Sequence, residues 1–142
     1  MKLIIVADDD FRQRDLYVDL FRSAGFKVIP VNDGQEAWEQ AQGQHPDLVF
    51  TGIMMPRMTG FELIEKLRAN KATSSIPVIV FSHLGRDTDR AKAEIYLNVQ
   101  FMIKGYDSPA SILKAAQMMM KKNPPSPAAA IDDDEREPVN LL

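Results

Sequence analysis

The 142-residue chain contains no cysteine and only two histidines, His45 and His83. The first absence excludes disulfides, thiolate catalysis and cysteine-ligated zinc or iron–sulfur centres. The second leaves too little imidazole for a histidine-rich metal site. Long apolar runs are missing too. The stretches at 3–7 and 78–81 fall far short of the roughly 20 residues that a membrane-spanning helix needs. Positive charge is not in excess: 17 basic against 20 acidic residues give a net −3, which argues against a nucleic-acid surface. The N-terminus has one lysine and a short apolar run that meets three aspartates, which is not the order of a signal peptide. What is present, 45% hydrophobic and 26% charged residues, is enough to build one core. The expectation is a cytoplasmic protein that binds neither membrane nor nucleic acid.

The charge is uneven. Residues 123–142 hold five acids (Asp132, Asp133, Asp134, Glu135 and Glu137) against Arg136, a net −4, whereas residues 1–122 are net +1. This segment opens with Asn123-Pro124-Pro125-Ser126-Pro127 and a run of alanines. A proline-rich stretch followed by an acid cluster reads as a disordered tail, either a solvated extension or a partner-binding segment ending in Val139, Leu141 and Leu142. Residues 1–122 read as a single domain, and no internal repeat is visible.

Within that domain, apolar runs alternate with amphipathic stretches. Strands are expected at 3–7, 26–31, 48–51, 76–82 and 99–103; the run at 3–7 has no polar alternation, as expected of a strand covered on both faces. Asp10 with Gln13, Asp33 with Glu36, and Thr59 with Glu62 have capping-box spacing and open the first three helices. Leu16, Leu20 and Ala24 are expected to form the buried stripe of the first helix, which Gly25 stops. Ala37, Trp38 and Ala41 mark the second, and Phe61, Ile64 and Leu67 the third. Residues 86–97 read as a polar helix with a thin apolar face. Ser108-Pro109 supplies an N-cap and a first-turn proline for the last helix, with Ile112, Ala116 and Met119/Met120 buried. Five βα units in about 120 residues predict an α/β domain, a five-stranded parallel sheet with helices on both faces.

Such sheets carry function at the carboxyl ends of their strands. At those ends stand Asp8, Asp9 and Asp10; Gly52-Ile53-Met54-Met55-Pro56; Ser82; and Lys104. Clustered carboxylates without histidine or cysteine suit a hard cation such as Mg²⁺. A hydroxyl and a lysine from other strands suit phosphoryl oxygens. The stretches Ile4–Asp10, Asn32–Ala37, Pro46–Val49, Met54–Leu63, Pro77–Ser82 and Phe101–Lys104, in that order and spacing, resemble the receiver domain of bacterial two-component response regulators. The resemblance covers residues 1–122. It implies a flavodoxin-like (βα)5 fold with strand order 2-1-3-4-5. It also implies Mg²⁺ held by Asp8, Asp9 and the carbonyl of Met54, phosphoryl contacts from Ser82 and Lys104, and a switch aromatic at Phe101.

The resemblance also sets a phosphate-accepting aspartate at the end of the third strand, and that column holds Gly52. Pro46, Met54, Pro56 and Gly60 fit the pattern without a gap, so the register is firm. Glycine cannot form an acyl phosphate or bridge phosphate and metal. Thr51 should point to the opposite face, and Asp47 lies at the far end of the strand. Three readings stand open: a naturally degenerate receiver, an ordinary receiver whose acceptor was substituted, and phosphoryl transfer to a different residue. His83, Gly105 and Thr59 also depart from the family's usual residues. Loss of the third acid is expected to weaken Mg²⁺ and to leave Lys104 free to pair with Asp8 or Asp9.

The leading expectation is a stand-alone signalling module, not an enzyme, whose output is protein binding. Its partner would be a histidine kinase or other signalling protein, and residues 86–122 would be a possible homodimer face. The alternative of another class is a flavodoxin-like small-ligand binder or enzyme. No glycine-rich phosphate loop supports it, since the residues after the first strand are three acids.

Overall fold

A computed structural model describes residues 1–122; the acidic segment at 123–142 lies outside the described residues. Ten elements alternate strictly: β1 (Leu3–Ala7), α1 (Phe11–Ser23), β2 (Lys27–Val31), α2 (Gly34–Gln44), β3 (Leu48–Thr51), α3 (Gly60–Ala69), β4 (Val78–Ser82), α4 (Asp87–Glu94), β5 (Val99–Ile103) and α5 (Pro109–Lys122). All strand pairs are parallel, and the strand order is β2-β1-β3-β4-β5, as expected.

Successive strand side chains face opposite ways, and each direction here meets its own core. Ile4, Val6, Leu48, Phe50, Ile79, Phe81 and Met102 pack with Tyr17, Val18 and Phe21 of α1 and Ile112, Ala116 and Met120 of α5. Ile5, Ala7, Val49, Val78 and Val80 pack with Ala37 and Ala41 of α2 and Leu63, Ile64 and Leu67 of α3. That is why the interior strands β1, β3 and β4 show no polar alternation, whereas the edge strands β2 and β5 carry exposed Lys27 and Gln100. In the first layer, Tyr17, Phe21, Phe50 and Phe81 form a ring cluster with centroids 4.8–5.4 Å apart, within the range of favourable aromatic pairing.

Several expectations need correcting. The buried face of α1 is Gln13, Tyr17, Val18 and Phe21. Leu16 is 54% exposed, Ala24 is exposed and Leu20 only half-buried. Counting only aliphatic residues places the stripe one residue away from the larger rings that set the helix rotation. Gln13 does not close a capping box: Asp10 accepts from the amides of Arg12 and Gln13, but the Gln13 side chain is used elsewhere. Glu36 reaches the amide of Asn32, one residue before the Asp33 cap. Thr59 and Glu62 form the full capping box.

β4 begins only at Val78, because the Ile76 amide is committed to the Thr73 carbonyl in a turn. α4 ends at Glu94 rather than 97. There the Tyr96 amide tightens onto the Ala93 carbonyl. The Arg68 guanidinium holds the carbonyls of Leu97 and Asn98, and Asn98 turns to φ 57°.

Phe21→Ala is expected to destabilise the fold by about 3–5 kcal/mol. Leu16→Ala should stay within about 0.5 kcal/mol. Urea unfolding of the two variants distinguishes the observed face of α1 from the one that the aliphatic spacing indicates.

Candidate functional site

Strand order reverses between β1 and β3, and the crevice outside their carboxyl ends is the expected site of such a sheet. Ala7 pairs with Val31 on one side and Thr51 on the other. Beyond that point the chains diverge: the Asp8 amide follows β2, donating to the Val31 carbonyl at 3.2 Å, while the Gly52 amide donates to the Ala7 carbonyl at 3.0 Å. The cleft that opens has a volume of about 520 Å³. Its lining includes Asp8, Asp9, Gly52, Met54, Ser82 and His83.

Asp8 is nearly buried, at 8% exposure. One of its oxygens accepts from the Asp10 amide at 2.9 Å and the other from Gln13 Nε2 at 2.6 Å. Burial is the leading cause that pushes its pKa above the usual carboxylate value, with the Asp9 and Asp10 charges adding to it. The two hydrogen bonds work the other way without cancelling it. The carbonyl oxygen of the same Gln13 amide is buried without a hydrogen-bond partner. Sequence spacing assigns Gln13 to a cap; its role as the side-chain support of Asp8 becomes visible only in three dimensions.

Gly52 is the floor of the cleft. A Cβ built on it would lie 3.9 Å from Asp8 Cγ, Asp8 Oδ2 and the Ala7 carbonyl, which is ordinary contact. A side chain at 52 would therefore fit and face Asp8. The Gly52 carbonyl accepts from Thr51 Oγ1 at 2.9 Å, and the Thr51 side chain is fully buried. The next loop depends on a second glycine. A Cβ on Gly60 would collide with the Gly52 carbonyl, so only glycine lets α3 start that close to the end of β3.

Arg57, at φ 66°, anchors the same loop to the start of α2. Its Nε donates to Asp33 Oδ2 at 2.9 Å and its Nη2 to Asp33 Oδ1 at 3.3 Å. Burial works against the Asp33 carboxylate, but the Arg57 bonds and the Glu36 amide outweigh it and hold its pKa below the ordinary value. No spacing rule pairs residues this far apart in the chain, so the bridge has no sequence signal.

Ser82 is buried, and its hydroxyl oxygen accepts from the amides of Leu84 and Gly85 at 3.1 and 3.3 Å. It thereby fixes the loop that carries His83 along the cleft. Met54 contributes an exposed side chain at the rim. Phe101 is half-buried on β5, with the Arg90 guanidinium 5.0 Å from its ring centroid.

Lys104 is exposed, and its backbone amide donates to the Ser82 carbonyl at 2.8 Å. Among the described residues it forms no ion pair with Asp8 or Asp9, contrary to expectation. Its neighbour Gly105 stands at φ 86°, which a proline ring cannot adopt. The family's usual proline would therefore force a different β5–α5 turn.

The arrangement is a carboxylate-rich crevice with an embedded hydroxyl and a glycine floor. Among the described residues, no three histidine or acidic side chains converge on a point where a metal ion could sit. Asp8, Asp9 and Met54, the residues expected to hold Mg²⁺, all line the cleft, together with Asp10 and Asp89, and position 52 adds no carboxylate.

A doubly wound parallel sheet with an acidic pair at its switch point defines the class. Comparisons then set the family. Residues 4–117 match the response regulator receiver domain model. The chain is 32% identical over 103 residues to Protein PilG of Pseudomonas aeruginosa, a match covering 72% of this chain and 76% of that protein. It is 38% identical over 106 residues to the probable transcriptional regulator ycf29 of Pyropia yezoensis. That match covers 75% of this chain but only 42% of the relative.

Among solved structures, chemotaxis response regulator CheY4 of Vibrio cholerae superposes with a TM-score of 0.76 at 24% identity, covering 84% of this chain and 98% of CheY4. The receiver domain of sensor histidine kinase PA1611 from Pseudomonas aeruginosa, described with a magnesium ion in its active-site cleft, gives 0.76 at 21%, covering 84% of this chain and 98% of that one. This chain belongs to the response regulator receiver domain family. Residues 4–117 form a receiver-type signalling module of the two-component class.

The raised pKa of Asp8 yields a signed prediction. A carboxyl whose folded pKa lies above its unfolded one costs stability once ionised. The cost is absent below the unfolded pKa, grows as pH rises past it, and is complete above the folded pKa. Asp8→Asn removes that cost, and rotation of the Gln13 amide lets the new carboxamide donate to the unpartnered carbonyl. The variant should unfold at a higher urea concentration than the parent at pH 7, with the difference shrinking toward acid pH. An equal or lower midpoint at pH 7 would contradict this account of Asp8.

Proposed function

We propose that this chain is a receiver that signals through protein–protein binding without accepting a phosphoryl group at the usual position. The observation that carries the reading is Gly52. It occupies the floor of the cleft, where a side chain would face Asp8 at contact distance, and it offers no nucleophile. Thr51 cannot stand in, because its side chain is fully buried. Asp47 cannot either: its carboxylate accepts from the Leu3 amide at the opposite end of the sheet. The partner is a histidine kinase or another signalling protein. Residues 86–122, spanning α4, β5 and α5, are the candidate binding or homodimer face.

Mg²⁺ binding at Asp8, Asp9 and the Met54 carbonyl is weak in this reading. Two neighbouring carboxylates and a carbonyl remain, and one negative charge is gone from the centre. A carboxylate restored at 52 would stand close to Asp8. At 4 Å and an effective dielectric of 20, two such charges repel by roughly 4 kcal/mol, and a divalent cation would relieve that repulsion. A second reading, an ordinary receiver whose acceptor has been replaced, draws on the room for a side chain at 52 and on Ser82 and Lys104 standing at their strand ends. His83 beside the cleft and the left-handed Gly105 favour divergence instead.

Mass measurement after treatment with a small-molecule phosphodonor and Mg²⁺ tests the proposal. The parent is expected to gain nothing, and a phosphoryl adduct on it would refute the reading. Gly52→Asp is expected to gain one phosphoryl group and to bind Mg²⁺ more tightly than the parent by calorimetry. Sub-millimolar Mg²⁺ binding by the parent would overturn the account of the metal site.

A further inference from the structure

Outside the cleft, a groove of about 440 Å³ runs between β5 and α5, with Gln100, Met102, Lys114, Ala115, Met118 and Met119 along it. Among the described residues β5 is an edge strand paired with β4 alone, so the groove lies at that edge of the sheet. Its base is apolar, with Met102 buried and Met118 47% exposed. Lys114 and Asp107 supply its charged groups.

The charge map points to an occupant. Residues 86–122 carry seven basic and four acidic side chains, net +3. Residues 1–85 carry nine basic and eleven acidic, net −2, and residues 123–142 are net −4. The groove is thus built from the positive stretch of the sequence, its own charged groups being Lys114 and Asp107, and the most negative stretch follows after α5.

The connection is short enough. Lys114 lies eight residues before the end of α5, about 12 Å back along the helix axis. About four extended residues cover that distance. Ile131 stands nine residues past Lys122, directly ahead of Asp132–Glu135. An apolar side chain followed by four acids therefore comes within reach of an apolar groove with a lysine beside it.

We propose that this chain's own segment around Ile131–Glu135 docks in the β5–α5 groove, with Ile131 against Met102 and Met118 and the acids beside Lys114. The segment then competes with any partner that binds the 86–122 face. The inference rests on the groove and the charge pattern, and it stands whether or not position 52 accepts phosphate.

The absence of cysteine permits a direct test. The full chain carrying Pro138→Cys takes a single nitroxide label, and amide line broadening is read by NMR. Broadening is expected at Gln100, Met102, Ser111 and Lys114 at low salt. It should be relieved at high salt, where screening removes the charge attraction. Ile131→Ser should relieve it too, as should Lys114→Glu. Absence of selective broadening at low salt would overturn the proposal, as would broadening indifferent to both substitutions. A mixture of labelled chain with separate isotope-enriched chain adds a control. Equal broadening there would identify a second copy as the occupant and refute the intramolecular contact.

Discussion

The pairing of β1 with β3 is the constraint on which the rest of the molecule depends. β1 is interior to the sheet, so its side chains are buried in both directions: Ile4 and Val6 against α1 and α5, Ile5 and Ala7 against α2 and α3. A strand covered on both faces has no room for charge along its length. Polar residues are pushed to its end, where β2 and β3 part company. Asp8 and Gly52 diverge from Ala7 there and leave a crevice that neither a helix nor a strand fills.

Everything at the site is held from that point outward. Gln13 supports Asp8 from α1, and Thr51 supports the Gly52 carbonyl from within β3. Arg57 and Asp33 bind the loop after β3 to the start of α2. Ser82 fixes the loop after β4 through two amides. The cleft is therefore held in shape around a position that carries no side chain. The supports do not depend on the missing carboxylate, because each is a bond to backbone or to another side chain. The fold can keep its shape without a carboxylate at 52.

Charge divides the molecule in a second way. The cleft is lined by Asp8, Asp9, Asp10 and Asp89, and the stretch 86–122 carries an excess of lysines and arginines. The segment after α5 gathers acids again. Such a distribution selects which surface attracts which partner. It gives the 86–122 face an electrostatic character independent of events at position 52.

Much of this was legible in the sequence, and the reasons are physical. Apolar runs broken by capping residues specify five strands and five helices, because strand burial and helix capping act locally. The Thr59–Glu62 box and the bounds of β3 and β5 follow from neighbours alone. The spacing of the strand-end motifs placed Asp8, Gly52 and Ser82 at one end of the sheet. What spacing could not supply was the rotation of α1, which the Tyr17 and Phe21 rings decide. Nor could it supply the use of Gln13 by Asp8, the Arg57–Asp33 bridge, or the exposure of Lys104. Each of these depends on which surfaces meet after β1 has paired with both β2 and β3. The sequence by itself determined the elements, their order and the absence of a nucleophile at 52. The tertiary structure alone decided how the neighbouring charges are partnered, because contacts between residues distant in the chain exist only once the sheet has closed.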